Sequence, residues 1–421
     1  MLVDISCAGD LMLSKKNAIF SFPALLPSKQ PASLAVLLLF FVGFADGSIL
    51  PFFALWAQND AGIAVSFIGL LLACYAGGEL IATPLIGGIA DRIGRRPVIM
   101  ISTAGVGLGF VALSFSRGLI TAILLLLWIG ICESVVHPTI FTVIADSTPA
   151  DQQRRQFARG RVALNVGRVL GPLCGAILAK VSLGAVFLGS GAALLVAAAL
   201  SGVCLVETWE ATNEADDEEE ESLADLLPAF RDARLARLLL WFLIIEVAGS
   251  WVESVLPLYA YNAGTLTASG VGLLFSYAAL LVVCLQLLVT RALASVSSFH
   301  MVLASGTVLI GGFACLSLSA RTVSLLAAVT FFAFADMLVA PLIPTIVNTL
   351  APPDAKATYQ SASSVTSDLR DSLGPATGTA LYAAGARLPW LIGIPVTAVA
   401  AWALARQMAH HEESPVGRNE P

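Results

Sequence analysis

Ten ionisable side chains interrupt the long apolar stretches of this 421-residue chain, and they are unevenly matched: Asp46, Glu79, Glu133, Glu246, Glu253, Asp336, Asp368 and Asp371 against Arg168 and Arg370. An ionisable group at the centre of a bilayer costs about 2.5–3.5 kcal/mol on insertion scales, so each is a candidate functional group. Two guanidinium groups cannot neutralise eight carboxylates. The remainder must carry protons or face a water-filled cavity, and either condition suits the binding and release of protons.

The two halves of the chain repeat with an offset of 203 residues, and this register superposes Glu133 on Asp336, each five residues before a proline, Pro138 or Pro341. The pair is expected to face each other across a cavity; the competing reading is that each only holds helices together through a local ion pair. Asp46 stands five residues before Pro51. Glu246 and Glu253, seven residues apart, share a helix face and differ by about 10 Å in height, with Glu253 the favoured member. His137 follows Glu133 by four residues and lies on the same face, either as a proton relay or as a hydrogen-bonded structural histidine. Those two residues are too few to ligate a metal, so no metal site is expected. Arg168 is expected either to join an internal salt-bridge network or to pair with an acid such as Glu133. In Asp368-Leu369-Arg370-Asp371 adjacent side chains should point apart and take different partners.

The elements that position these groups follow from composition. The chain is 57% hydrophobic and 12% charged, with a mean hydropathy of +0.85, where a soluble domain carries roughly 25% charged residues. It is a polytopic membrane protein. Runs long enough to cross about 30 Å of hydrocarbon recur twelve times, near 32–58, 63–86, 96–115, 119–146, 157–180, 182–206, 237–262, 267–290, 299–319, 322–349, 357–384 and 388–408. With both termini inside, cytoplasmic segments hold seventeen Lys and Arg and outer loops only Arg117, Lys180, Arg321 and Arg387, as the positive-inside rule requires.

The 203-residue register also maps Ser66-x-x-Gly69-Leu70-Leu71 onto Ser269-x-x-Gly272-Leu273-Leu274, and Leu170-Gly171-Pro172-x-x-Gly175 onto Leu373-Gly374-Pro375-x-x-Gly378. The organisation is six plus six: a cytoplasmic tail over 1–31, one six-helix bundle over 32–206, an acidic cytoplasmic linker over 207–236, a second bundle over 237–408 and a short tail over 409–421. A tandem repeat of this kind places two bundles face to face with a binding site between them near the midplane. The linker opens with an acidic run, Glu214 to Glu221, read as solvated, and closes with an amphipathic piece, Leu223 to Leu238. The seven cysteines have irregular spacing and are read as small buried residues. The net charge of −6 gives no support to a nucleic-acid partner, no nucleotide-binding loop of the Gly-x-x-x-x-Gly-Lys-Ser/Thr type is present, and no catalytic constellation indicates an enzyme.

Between the second and third spans stands Gly87-x-Ile89-Ala90-Asp91-Arg92-x-Gly94-Arg95-Arg96. This resembles the loop signature of the major facilitator superfamily. Gly167-Arg168-Val169-Leu170-Gly171-Pro172-Leu173-Cys174-Gly175-Ala176 resembles the fifth-span signature typical of that family's drug:proton antiporters, with Ala176 at its usual last glycine. Physically, Gly167, Gly171 and Gly175 permit close helix approach and Pro172 frees a carbonyl. A departure is Leu126, where many proton-coupled members carry an arginine.

The resemblance implies an all-α integral membrane fold of twelve transmembrane helices in two six-helix pseudo-repeat bundles, cycling by alternating access. It also implies proton-coupled efflux of small amphipathic compounds through Asp46, Glu133, Asp336, Glu253 and Arg168. A conformational latch is implied at Gly87, Asp91, Arg95 and Asp146. The expected partners are a small-molecule substrate, protons and lipid, with no cofactor, in a monomer of the bacterial inner membrane. The sequence leaves open a dedicated carrier of a siderophore, sugar or amino acid, and a non-transporting sensor or assembly protein of the same shape.

Overall fold

The computed structural model describes residues 31–86, 93–207, 227–293, 296–340, 342–352 and 355–412, all in helices and short connections. In chain order the helices are α1 (Pro31–Asn59), α2 (Ile68–Ile86), α3 (Arg95–Phe115), α4 (Leu119–Glu133), α5 (Val136–Asp146), α6 (Ala150–Leu178), α7 (Leu183–Cys204), α8 (Leu227–Arg231), α9 (Ala233–Asn262), α10 (Ala268–Ala292), α11 (Ser298–Leu318), α12 (Thr322–Val339), α13 (Leu342–Leu350), α14 (Lys356–Ala384) and α15 (Leu388–Glu412). Eleven helical segments among the described residues are long and apolar enough to cross a membrane. Helix α14 is as long as α1, at 29 residues, but carries Asp368, Arg370 and Asp371 near its middle. It completes the twelve.

Two expected spans are each a pair of helices. A proline weakens the helical pattern, since it lacks an N–H and crowds the carbonyl four residues earlier, although Pro51, Pro172, Pro257, Pro375 and Pro395 lie inside continuous helices. Pro138 breaks the fourth span after Glu133, and the tenth breaks around Pro341, which itself lies outside the described residues. The carbonyl of Met337, four residues before Pro341, accepts from Gln286 Nε2 at 3.3 Å, so the orphaned acceptor is satisfied by the neighbouring helix. The amphipathic piece expected as one run to Leu238 is instead interrupted at Asp232. Its carboxylate caps α9 by accepting from Arg234 N at 2.8 Å, which moves the helix start to Ala233. At the other end α15 continues to Glu412, through the start of the expected tail. The cysteines depart from the expectation of burial: Cys204 and Cys284 are exposed and the other four described are half-buried, Cys132 and Cys315 among them packing against the core.

Packing repeats with the sequence. Helix α1 lies on α6 as α9 lies on α14; α3 pairs with α7 as α11 pairs with α15; α2 pairs with α4 as α10 pairs with α12. The glycines of α6 make the first of these contacts possible. A Cβ on Gly171 would stand 2.5 Å from Ser48 N and 2.7 Å from Phe44 O, both backbone atoms of α1, and Ser48 Oγ donates to Gly171 O at 3.1 Å. Gly167 and Gly175 face the same helix. Gly171→Val is therefore expected to destabilise the protein by about 1–3 kcal/mol, the usual cost of overpacking, whereas Gly249→Ala, where nothing lies within 4 Å, should be neutral. Thermal unfolding of both purified variants in detergent measures the difference.

The halves meet through α2 against α14, α6 against α10 and α1 against α9. These contacts gather at one end of the molecule. Gln58 and Asn262, at the ends of α1 and α9, exchange two side-chain amide hydrogen bonds of 3.1 and 3.3 Å, and Asn262 Nδ2 also donates to Tyr382 Oη at 3.1 Å. Gly69 N donates to Thr379 Oγ1 at 3.1 Å. At the opposite end, where α3 begins, α5 packs on α1, α3 and α6 while α13 packs on α9, α12 and α14, each within its own half. Between the halves, Asn165, Arg168, Asp336, Ser364, Asp368 and Asp371 are exposed although they lie mid-span. The cleft is closed at the Gln58 end and open at the Arg95 end.

Candidate functional site

Each half holds one ion pair between its first and fifth spanning helices. In the first, Arg168 Nη2 on α6 lies 3.3 Å from Asp46 Oδ2 on α1; in the second, Arg370 Nη1 on α14 lies 3.4 Å from Glu246 Oε2 on α9. The helix pairs are equivalent, but the positions are not. Under the 203-residue register Asp46 falls on Gly249, three residues past Glu246, and Arg168 falls on Asp371, one past Arg370. The Arg168 side chain is 52% exposed, so the first pair borders the open cleft, whereas Arg370 and Glu246 are 28% and 25% exposed and lie deeper, with the more exposed Asp371 beside Arg370.

Around Asp46 the first half assembles a cluster from three helices of two spans. Glu133 ends α4, His137 lies in the first turn of α5, and one ligating atom from each of Asp46, Glu133 and His137 falls within 4.8 Å of the others. His137 Nε2 stands 3.9 Å from Asp46 Oδ2. The break at Ser134–Val135 follows from Pro138, and it keeps Glu133 and His137 on the same side of the span as expected. On α2, Tyr75 Oη donates to Glu79 Oε1 at 3.1 Å and lies within electrostatic range of Glu133. The second half answers with Arg370, whose Nη2 meets Asp371 Oδ1 at 2.6 Å as well as Glu246. Electrostatic contact crosses the cleft at two places, Arg168 with Glu253 and Glu79 with Asp368 and Asp371.

Several expectations change here. Arg168 joins Asp46, not Glu133, because the α1–α6 glycine contact brings those two helices closest together. Arg370 and Asp371, adjacent on one helix, pair with each other: the guanidinium stem is long enough to fold back. Glu133 and Asp336 are not brought together. Glu133 is buried at 7% exposure inside the first half, while Asp336 is exposed and within electrostatic range of Arg370. Glu246, the less favoured acid of α9, makes the ion pair; Glu253 stays within range of Arg370, Asp371 and Arg168. Tyr75 joins the site without having been singled out, and Glu79, Glu246, Arg370 and Asp371, named among the ionisable candidates of the spans, join it without having been assigned to it. Their one signal was polarity within a span.

A second charged cluster lies at the start of α3. Gly94 has φ +103°, a conformation that favours glycine, and a Cβ there would stand 2.7 Å from Glu207 Oε2. That carboxylate, just past the end of α7, accepts from Arg95 N at 2.9 Å and Arg96 N at 3.1 Å, filling the orphan donors of the α3 N-terminus. The Arg96 guanidinium donates to Gly202 O, and Arg95 Nε meets Asp146 Oδ2 at 3.4 Å. Of the expected latch, Arg95 and Asp146 thus stand together; Gly87 and Asp91 lie outside the described residues. Glu207 was not anticipated, since nothing in its local sequence marks it as a cap for a helix more than a hundred residues earlier.

Comparison with known proteins places this architecture. The family model of the Major Facilitator Superfamily matches residues 35–369. Tetracycline resistance protein class C of Escherichia coli is 25% identical over 365 residues, 81% of this chain and 87% of that protein. The class E protein of the same organism is 28% identical over 220 residues, 51% of this chain, and the match spans 54% of its length. Quinolone resistance protein NorA of Staphylococcus aureus is 29% identical over 179 residues, 41% of this chain and 45% of NorA. Among solved structures, the nucleoside transporter NupG superposes with a TM-score of 0.74 at 14% identity, covering 90% of this chain and 98% of NupG. A bacterial homologue of the human lysosomal transporter Spinster superposes with a TM-score of 0.68 at 16% identity, covering 92% of this chain and all of the other. Identity this low speaks to the fold alone.

Proposed function

The chain belongs to the Major Facilitator Superfamily, and from that premise we propose that this transporter exports small amphipathic compounds from the cell in exchange for protons by alternating access. The observation that carries the coupling is the Asp46–Arg168 pair with Glu133 and His137 beside it. A carboxylate that alternates between a guanidinium and a proton changes the net charge of a low-dielectric site by one, which is the differential interaction a coupled cycle requires. Water in the open cleft reaches Arg168, so the pair can exchange protons with one side of the membrane while the Gln58 end is shut.

The arginine-rich loops support a cytoplasmic location for the Arg95 end and for both termini. The bacterial resistance proteins matched above support export across a plasma membrane and compounds of tetracycline and quinolone type. The cleft's excess of carboxylates favours substrates carrying a positive or delocalised charge. The cluster at Arg95, Asp146 and Glu207 acts in this scheme as a cytoplasmic brace that must yield when the inner side closes. The two bundles, 32–206 and 237–408, rock about the contacts at α2–α14 and α6–α10.

Everted membrane vesicles containing the protein test this directly. Energised vesicles are expected to accumulate a tetracycline or a fluoroquinolone above the level of vesicles lacking it, and a protonophore should discharge the gradient. Equal accumulation with and without the protein, across neutral and cationic compounds, would contradict the assignment.

A further inference from the structure

Behind the Asp46–Arg168 pair lies a cavity with about 10 Å³ of room, lined by Val42 and Asp46 of α1, Thr103 and Val106 of α3, Glu133 of α4, Val136 of α5 and Leu194 of α7. Thr103 is 2% exposed, and its hydroxyl has no hydrogen-bond partner in the protein. A buried hydroxyl left unsatisfied costs roughly 1–3 kcal/mol, and this one sits in an otherwise apolar wall beside two carboxylates. The space fits a single water-sized occupant.

The donors identify the occupant. Two carboxylates and a hydroxyl from three helices are hard oxygen ligands, the set preferred by cations of the first main groups. His137 does not line the cavity, although one of its ring nitrogens lies within 4.8 Å of ligating atoms of both carboxylates, so zinc is an ion that the test has to distinguish. Magnesium retains several waters, more than this space holds. Asp46 and Glu133 carry two negative charges when ionised, Arg168 pairs with Asp46, and the His137 ring at 3.9 Å from Asp46 adds a charge only if protonated. One more positive charge balances them.

We propose that Asp46, Glu133 and Thr103 form a site for a sodium-sized monovalent cation, with Thr103 as the ligand that distinguishes a bound ion from a proton. A proton needs only a carboxylate; an ion filling the cavity needs the third oxygen. Sodium and a proton then compete for the same carboxylates. The proposal rests on reading Asp46 and Glu133 as the cation-handling pair, but it concerns binding, and its test does not require transport.

The test is thermal unfolding of the purified full-length protein at fixed pH and ionic strength, titrated with sodium against potassium, choline and zinc. Sodium alone is expected to raise the midpoint saturably. Thr103→Val, which keeps shape and removes the oxygen, should weaken half-saturation at least tenfold, and Thr103→Ser should restore it. A response shared by potassium or choline, one specific to zinc, or one unchanged in Thr103→Val would overturn the site, as would no response at all, which leaves an ordered water as the occupant. The export assay in sodium-free vesicles remains a separate measurement, so failure of either reading is recognised without the other.

Discussion

Asp46→Asn is expected to abolish uphill export while leaving a folded protein that still binds substrate. The amide keeps the shape and can accept a hydrogen bond from Arg168, but it holds neither a charge nor an exchangeable proton. The stability cost should be small. Arg168 is 52% exposed to the cleft, and pairs open to water contribute about 0–1 kcal/mol, so a large loss of transport cannot be blamed on unfolding. Gradient-driven accumulation in everted vesicles should fall to background, with substrate affinity, followed by tryptophan quenching, at the wild-type level. Arg168→Gln should reach the same transport defect by the opposite route, leaving Asp46 without its guanidinium. Glu133→Gln is expected to behave like Asp46→Asn because the two share one cluster, and Asp336→Asn should retain more activity because its surroundings are exposed. Equal losses in Asp46→Asn and Asp336→Asn would indicate that the halves contribute symmetrically, against the arrangement of charges described here.

The second large effect concerns the closed end. Gln58 and Asn262 are the one place where α1 and α9 exchange a reciprocal pair of amide hydrogen bonds, and Tyr382 of α14 adds a third contact. Alternating access requires these bonds to break in every cycle. In a background free of native cysteines, Gln58→Cys with Asn262→Cys joined by a short bifunctional thiol reagent should stop transport completely, and a cleavable reagent should allow recovery on reduction. Substrate should still bind the locked protein from the Arg95 side. Undiminished export by the cross-linked protein would mean that the Gln58 end does not open.

How much of this was legible beforehand divides along one physical line. The spans came through because their causes are local: apolar runs set them, and the 203-residue register pairs α1–α6 with α9–α14, whereas the breaks in the fourth and tenth spans, each beside a proline, were not expected. The glycines of α6 announced a close helix contact, and α1 is the helix they meet. Partners of charged side chains depend on helix rotation and height instead. Glu133 and Asp336 occupy superposed positions, yet one is buried in its own bundle and the other exposed. Arg168 and Arg370 do equivalent work from positions one residue out of register, so matching residues by the repeat aligned Arg168 with an acid. Thr103 gave no signal, because a threonine in an apolar run is ordinary until its hydroxyl is seen to be unpaired. Glu207 required knowledge of where α7 ends relative to α3.

The measurement that tests the central claim most directly is substrate-dependent proton movement in proteoliposomes containing only this protein, with internal pH followed by a trapped dye under an imposed pH gradient. Coupled export predicts that adding a transported drug accelerates dissipation of the gradient in wild type and leaves it unchanged in Asp46→Asn. Drug movement with no accompanying pH change, or an Asp46→Asn protein that moves protons as well as wild type, would contradict it.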